Sequence, residues 1–248
     1  MNPKPDNTAQ PGPKAGLAGN PLGCWVEIPP GTFLMGDPGS TRKVTITRPF
    51  KLFSVPMTQA LYRQLLGENP SHFQGDTRPV ETVSWFDAVR CCNAFSSALG
   101  LPAAYRIQGS EVCWAGLNHP GVRLPTEAEW EYACRAGTTG GYAGNLDEMG
   151  WYDQNSGKQT HPVGQKKPNP WGLYDMHGNV WEWCWDWRDA KLEGGTDPVG
   201  PASGSSRVFR GGSWGRFAFR CRAANRYGYY PSGCGNNIGF RAVLPPGQ

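Results

Sequence analysis

Apolar and polar residues alternate from Trp25 to Met35 around Pro29-Pro30-Gly31, a pattern that predicts strand, turn and strand. Lys43 to Thr47 and Phe50 to Val55 read as two further short strands. The period then lengthens to that of a helix. Thr58 to Leu66, ending at Gly67, fits a short amphipathic helix, and Ser84 followed by Asp87 opens a second one that runs through Phe95 to Gly100. Thr126 with Glu129 is a capping box for a third helix, Glu127 to Arg135, closed by Gly137. Beyond Gly137 only Val180 to Trp185, Arg207 to Trp214 and Ile238 to Leu244 carry strand patterns. Loops of that length inside a folded domain are usually functional or held by bound ions. Met1 to Gly23, rich in Pro, Gly, Asn and Ala without a period, reads as a flexible tail, and 24–248 reads as one domain.

Composition narrows the class. Aromatic residues make up 12% of the 248, too many for a chain disordered throughout. No apolar run reaches the roughly 18 residues a membrane span needs. Gly (34) and Pro (23) are abundant but lack the G-X-Y period of collagen. The eight cysteines show no C-x-x-C spacing, the adjacent Cys91 and Cys92 are badly placed for a mutual disulfide, and the four histidines are scattered. No basic-then-apolar leader pattern is present, so the compartment stays open between the cell surface, after removal of an export signal, and the cytoplasm. The net charge of +4 is unevenly spread: Arg207 to Val243 holds seven Arg and no Asp, Glu, Lys, Gln, Met or His.

Four strings carry the chemistry. The first is Leu124-Pro125-Thr126-Glu127-Ala128-Glu129-Trp130-Glu131-Tyr132-Ala133, the second Gly172-Leu173-Tyr174-Asp175-Met176-His177-Gly178-Asn179-Val180-Trp181-Glu182-Trp183. In the second, the Asp175 and Glu182 carboxylates with the carbonyls of Gly178 and Val180 have the hard-oxygen chemistry of a calcium site, while Glu182 is equally suited to pairing with a buried arginine. Arg210-Gly211-Gly212-Ser213-Trp214 and Gly239-Phe240-Arg241 complete the set.

Taken in order, these strings resemble the formylglycine-generating enzyme and sulfatase-modifying factor family over roughly Cys24 to Leu244. The resemblance implies an α+β, loop-rich variant of the C-type lectin fold, with structural calcium at Asp175, Gly178, Val180 and Glu182. The family's oxidase activity on sulfatase cysteines needs two copper(I)-binding thiolates five residues apart. The corresponding positions here are Arg216 and Cys221. One thiolate cannot replace two, so no copper is expected, and a copper-dependent oxidase, using Cys221 with Cys234 at a departed spacing, stands as the alternative reading.

The C-terminal segment is also similar to variable proteins of diversity-generating retroelements, non-catalytic members of the superfamily. Its frame is Arg210 to Trp214, Cys221-Arg222, Ala224-Asn225-Arg226, Pro231 and Ile238 to Arg241. Interposed are Gly215, Arg216, Phe217, Phe219, Arg220, Tyr227, Gly228, Tyr229, Tyr230, Gly233, Gly235 and Asn236. Adenine mutagenesis of AAC codons reaches every residue type except Lys, Glu, Gln, Met and Trp, and all twelve interposed residues fall inside that set. Their Tyr, Phe, Arg, Gly and Asn are the vocabulary of a paratope. The opposing reading is a strand core, but the segment's only aliphatic β-branched residues are Val208, Ile238 and Val243, and consecutive Tyr229-Tyr230 beside Gly228 suits an exposed loop. The expectation is a monomeric, non-catalytic protein that binds a protein or cell-surface ligand through the twelve positions. A nucleic-acid partner is not expected, because the segment lacks Lys.

Overall fold

The computed structural model describes residues 23–245, so the tail read over 1–23 lies outside the described residues except for Gly23. Among the described residues twelve short strands and four helices occur in the order β1 (Trp25–Ile28), β2 (Gly31–Met35), β3 (Arg42–Ile46), β4 (Phe50–Phe53), α1 (Gln59–Leu66), α2 (Trp85–Ala98), β5 (Tyr105–Gln108), β6 (Glu111–Trp114), α3 (Glu127–Arg135), α4 (Leu146–Met149), β7 (Trp181–Trp187), β8 (Gly195–Thr196), β9 (Arg207–Arg210), β10 (Arg226–Tyr229), β11 (Ile238–Phe240) and β12 (Val243–Leu244).

The helices start where their capping residues stand. Thr58 accepts from the Leu61 amide, and Ser84 with Asp87 and Thr126 with Glu129 close reciprocal capping boxes. Gly67 ends α1 with a left-handed φ of 80°. The left-handed residue closing α3 is Ala136, one position before the expected Gly137.

The strands depart further from local expectation. β1 and β2 flank Pro29-Pro30 but do not pair with each other: β1 joins β4 and β12, while β2 joins β3 and β8. The two prolines leave no amide to close a hairpin, so the chain passes from one sheet to another. Ile238 to Leu244 likewise divides into β11 and β12 of separate sheets, and the strand predicted over 207–214 stops at Arg210 because Gly211 and Gly212 turn with φ of 96° and 75°. The β5-β6 hairpin has no counterpart in the sequence reading.

The central sheet has the order β10-β9-β7-β11. Period-2 alternation gives its two faces different chemistry. One carries Trp181, Trp183, Phe209 and Phe240 into a core with Leu61, Tyr62, Trp85 and Phe95 of α1 and α2. On the other face Glu182, Arg210 and Arg226 stand in register and meet α3. There Glu131 accepts from Arg135 Nε at 2.8 Å and pairs with Arg210, Glu127 takes Arg226 in a two-bonded fork at 2.7 and 2.5 Å, and Glu129 takes Arg123 at 2.6 Å. All three glutamates are buried. Charges removed from water at this depth must be paired, which couples the position of α3 to the sheet.

The long stretch from 137 to 180 is held by buried side-chain amides. Asn169 donates to the carbonyls of Ala133 and Cys134 at the end of α3 and accepts from the amides of Trp171 and Leu173. Asn179 exchanges hydrogen bonds with the backbone of His161 in both directions. Neutral His177 accepts from the Ala143 amide and donates to the Cys221 carbonyl at 2.8 Å; burial lowers its pKa to about 4.

Candidate ligand-binding surface

Gly211 and Gly212 turn the chain after β9, and the stretch that follows includes a short 3-10 turn, Ala218–Cys221. The chain returns as β10, the edge strand beside β9, with Tyr227 opposite Phe209 and Tyr229 opposite Arg207. Tyr227 to Tyr229 therefore lie on a strand and not in the loop the sequence pattern favoured. Gly228 is accommodated because its Cα faces the side chains of Arg188 and Ser206, where an added Cβ would stand 2.3 Å from Arg188 Cδ. Alternation leaves Tyr227 and Tyr229 on one exposed side of this edge.

Burial separates the two classes of residue named in this segment. Eleven of the fifteen frame residues are buried; Trp214, Arg222, Arg226 and Pro231 are half-buried. None of the twelve interposed residues is buried: Gly215, Arg216, Phe217, Phe219, Tyr227, Tyr229 and Tyr230 are exposed, and Arg220, Gly228, Gly233, Gly235 and Asn236 are half-buried. Phe217 and Tyr230 keep 61% and 65% of their surface in water. Exposed aromatics at this density are uncommon on a surface with no partner.

These side chains touch. Phe217 and Phe219 stack at 6.2 Å, the Arg220 guanidinium lies 4.9 Å from the Phe219 ring and 5.7 Å from that of Tyr227, and Tyr227 stacks on Phe209 at 5.7 Å. Arg216, Arg220 and Tyr227 surround a cleft of about 340 Å³ whose other lining residues are Trp181 and Phe209. The sequence reading missed both of these as site residues. They belong to the alternation of β7 and β9, where the aromatic face that fills the core under α1 and α2 runs on toward the sheet edge. Tyr229 and Tyr230 lie 5.9 Å apart, and a Cβ on Gly233 would meet the Tyr229 ring at 2.2 Å. The two glycines Gly228 and Gly233 are thus tightly packed, whereas Gly215 faces open space.

The residues read as a calcium set have other partners. Glu182 takes the Arg241 guanidinium through both oxygens, at 2.6 and 2.7 Å, and the Trp130 indole N–H at 2.7 Å. Of the two alternatives open at Glu182, the side chain takes the arginine pair, and a guanidinium against both oxygens repels a dication. Asp175 accepts from the Gly164 amide at 2.8 Å and from Asn179 at 3.3 Å, and burial raises its pKa to about 6. The donor set therefore does not fit calcium through Glu182. Among the described residues no three His, Cys, Asp or Glu side chains converge as metal ligands.

The cysteines of the oxidase reading are also apart in character. Cys221 is fully buried against Gly212, and burial pushes its thiol up to about 12, whereas Cys234 is exposed. A larger groove of about 1060 Å³, lined by Phe33, Leu34, Tyr132 and Trp171 among others, contains none of the twelve interposed residues and none of the residues read as a calcium set. No helix among the described residues is long and apolar enough to cross a membrane.

Comparison with known proteins bears out the resemblance. The structure of Treponema denticola variable protein 1 superposes with a TM-score of 0.85 at 35% identity, covering 90% of this chain and 95% of that one. A protein from Paenibacillus barcinonensis named chaperone protein LppX is 34% identical over 242 residues, 82% of each chain. The formylglycine-generating enzyme of Streptomyces coelicolor is 31% identical, covering 97% of this chain and 95% of the enzyme. The helices and loop-rich sheets are those of the formylglycine-generating type of C-type lectin fold. With the family pattern matched over residues 17–245, the chain belongs to the sulfatase-modifying factor enzyme 1-like domain family.

Proposed function

We propose that this protein is a non-catalytic binder whose C-type lectin scaffold presents a diversified surface to a protein or cell-surface ligand. The observation that carries the reading is the partition of burial: residues interposed in the frame all reach solvent, and the frame itself is mostly buried. A segment built to vary needs that partition, since substitutions at exposed positions usually change stability by no more than about 0.5 kcal/mol. Similarity to a variable protein supports the same reading.

The family also contains proteins named formylglycine-generating enzyme, and two features of this chain weigh against the oxidase chemistry that the resemblance implies for them. Exposed Arg216 stands where the first copper(I) thiolate belongs, and the Cys221 thiol is buried and hard to ionise, while metal binding and nucleophilic attack both need an accessible thiolate.

The test is a library with ten of the interposed positions, all but the tightly packed Gly228 and Gly233, randomised to the residues that adenine mutagenesis of AAC allows. Most members are expected to unfold cooperatively close to the parent, whereas the same treatment of ten frame positions unfolds most members. A first library that is mostly unfolded overturns the proposal. Incubation with copper(I) and a sulfatase-type peptide is expected to leave the peptide cysteine unchanged; its conversion to formylglycine selects the oxidase. In the genome, the reading expects a near-copy of the DNA for Arg207 to Val243, differing only at adenines, beside a reverse transcriptase gene.

A further inference from the structure

The seven arginines of the segment 207–243 have unequal surroundings. Arg210 is paired with Glu131 and Glu127, Arg222 with Asp37, Arg226 with Glu127 and Arg241 with Glu182. Arg207 is packed among Trp85, Trp185 and Trp187, its guanidinium carbon 3.9, 4.7 and 3.5 Å from the three rings, and it donates to the Trp185 carbonyl. Arg216 and Arg220 remain. Among the described residues neither makes an ion pair, and both line the one cleft floored by Trp181 and Phe209 and walled by Tyr227.

Two like charges facing one small space repel each other, and an anion placed between them removes that cost. A carboxylate matches the planar fork of a guanidinium and takes two parallel hydrogen bonds from it. The aromatic floor, sheltered from water on the core side, suits the apolar part of whatever carries the carboxylate. Flanking charge decides between a protein and a nucleic-acid strand. Binding a strand calls for a cationic groove that follows many phosphates. Here the neighbouring Arg222 and Arg226 are already neutralised by Asp37 and Glu127, so the unpaired positive charge lining the cleft is that of Arg216 and Arg220 alone, too few to follow a run of phosphates.

We propose that this cleft takes an acidic side chain of a protein partner, its carboxylate held between Arg216 and Arg220 and an adjacent aromatic or aliphatic side chain seated on Trp181, Phe209 and Tyr227. The proposal rests on the binding function above and names the chemistry of the partner.

The peptides acetyl-Tyr-Glu-Tyr-amide and acetyl-Tyr-Gln-Tyr-amide differ only in the carboxylate. Titrated into the full chain and followed by NMR through the Arg Nε–H signals and the Trp181 indole, the Glu peptide is expected to give saturable shifts at Arg216, Arg220 and Trp181, with the Gln peptide at least tenfold weaker. Arg216→Gln and Arg220→Gln are each expected to weaken the Glu peptide severalfold without altering the Gln peptide, and both variants stay folded because neither side chain holds a buried acid. Equal binding of the two peptides, or no shift with either, overturns the proposal. So does a single-stranded oligothymidine that shifts the same signals more strongly and loses affinity steeply with salt, since that outcome selects nucleic acid. The outcome is separable from the parent reading: a library that folds while the Glu peptide fails to bind removes only the acidic ligand, and a library that unfolds removes the displayed surface itself.

Discussion

Replacing Glu182 with Gln separates an ion-pair role from a calcium role at the centre of the fold. Glu182 is 1% exposed and Arg241 is fully buried. The carboxylate takes three hydrogen bonds, two from Arg241 and one from the Trp130 indole. Glutamine keeps the shape but offers one acceptor oxygen, and its amide group points an N–H at donors. At least one of the three bonds is lost and the Arg241 guanidinium is left without its countercharge, although it still donates to the carbonyls of Phe53 and Tyr174. Breaking a buried pair in this way costs about 3–5 kcal/mol. At this chain length about 2–4 °C is lost per kcal/mol, so the melting temperature should fall by roughly 6–20 °C. The assay is thermal and guanidinium unfolding of both proteins in excess EDTA and again in millimolar calcium chloride. The parent is expected to unfold at the same point in both buffers, and the variant to be weakened equally in both. A parent stabilised by several degrees in calcium, with the gain missing in Glu182→Gln, would refute the reasoning and return Glu182 to the metal.

Gly212→Ala is expected to destabilise strongly, because φ is 75° and the new Cβ would stand 2.5 Å from the Cys221 sulfur and 2.9 Å from its Cα; an unfolding midpoint within experimental error of the parent counts against this packing. Phe217→Ala and Tyr230→Ala, both at more than 60% exposed positions, should each cost about 1 kcal/mol or less in denaturant titrations, and a loss of 3 kcal/mol or more would place them in a core instead. Native alkylation with iodoacetamide, read by peptide mass, should label Cys24 and Cys234 first, Cys113 more slowly, and Cys91, Cys92, Cys134, Cys184 and Cys221 only after unfolding; early labelling of Cys221 would contradict its burial. His177 titrates near 4 in the folded protein against an ordinary 6.5, so between those values the unfolded chain binds the extra proton. Its contribution of about 3 kcal/mol is then complete above pH 6.5 and lost as pH falls toward 4, and His177→Gln should flatten that part of the stability profile.

Much of the scaffold was legible residue by residue, because its signals are local. Thr58, Ser84 and Thr126 announce helix starts through a bond made within three residues, and the alternation of Trp181, Trp183 and Trp185 needs only the pleat of a strand. The division between frame and interposed residues could be written down before folding as well, but from the resemblance to variable proteins and not from composition, since Gly, Arg, Phe and Asn occur in both classes. Local signals cannot say which strand pairs with which. That Pro29-Pro30 separates two sheets, that 238–244 serves two more, and that Tyr227 and Tyr229 sit on an edge strand depend on contacts with residues far away in the chain.

The candidate site divides along the same line. The sequence by itself determined the family and the capped helices, because these depend on residue type and short-range spacing. Tertiary structure alone decided the partners of charge. Glu182 has the chemistry of either a calcium ligand or an arginine acceptor, and only the approach of Arg241, 59 residues later, chooses between them. The seven arginines of the C-terminal segment are alike on paper; folding brings Glu127, Glu131, Glu182 and Asp37 to four of them and tryptophans to a fifth, and leaves Arg216 and Arg220 to face one cleft. Coulomb energy depends on distance and on exclusion of water, and neither is a property of a residue until the chain has folded around it.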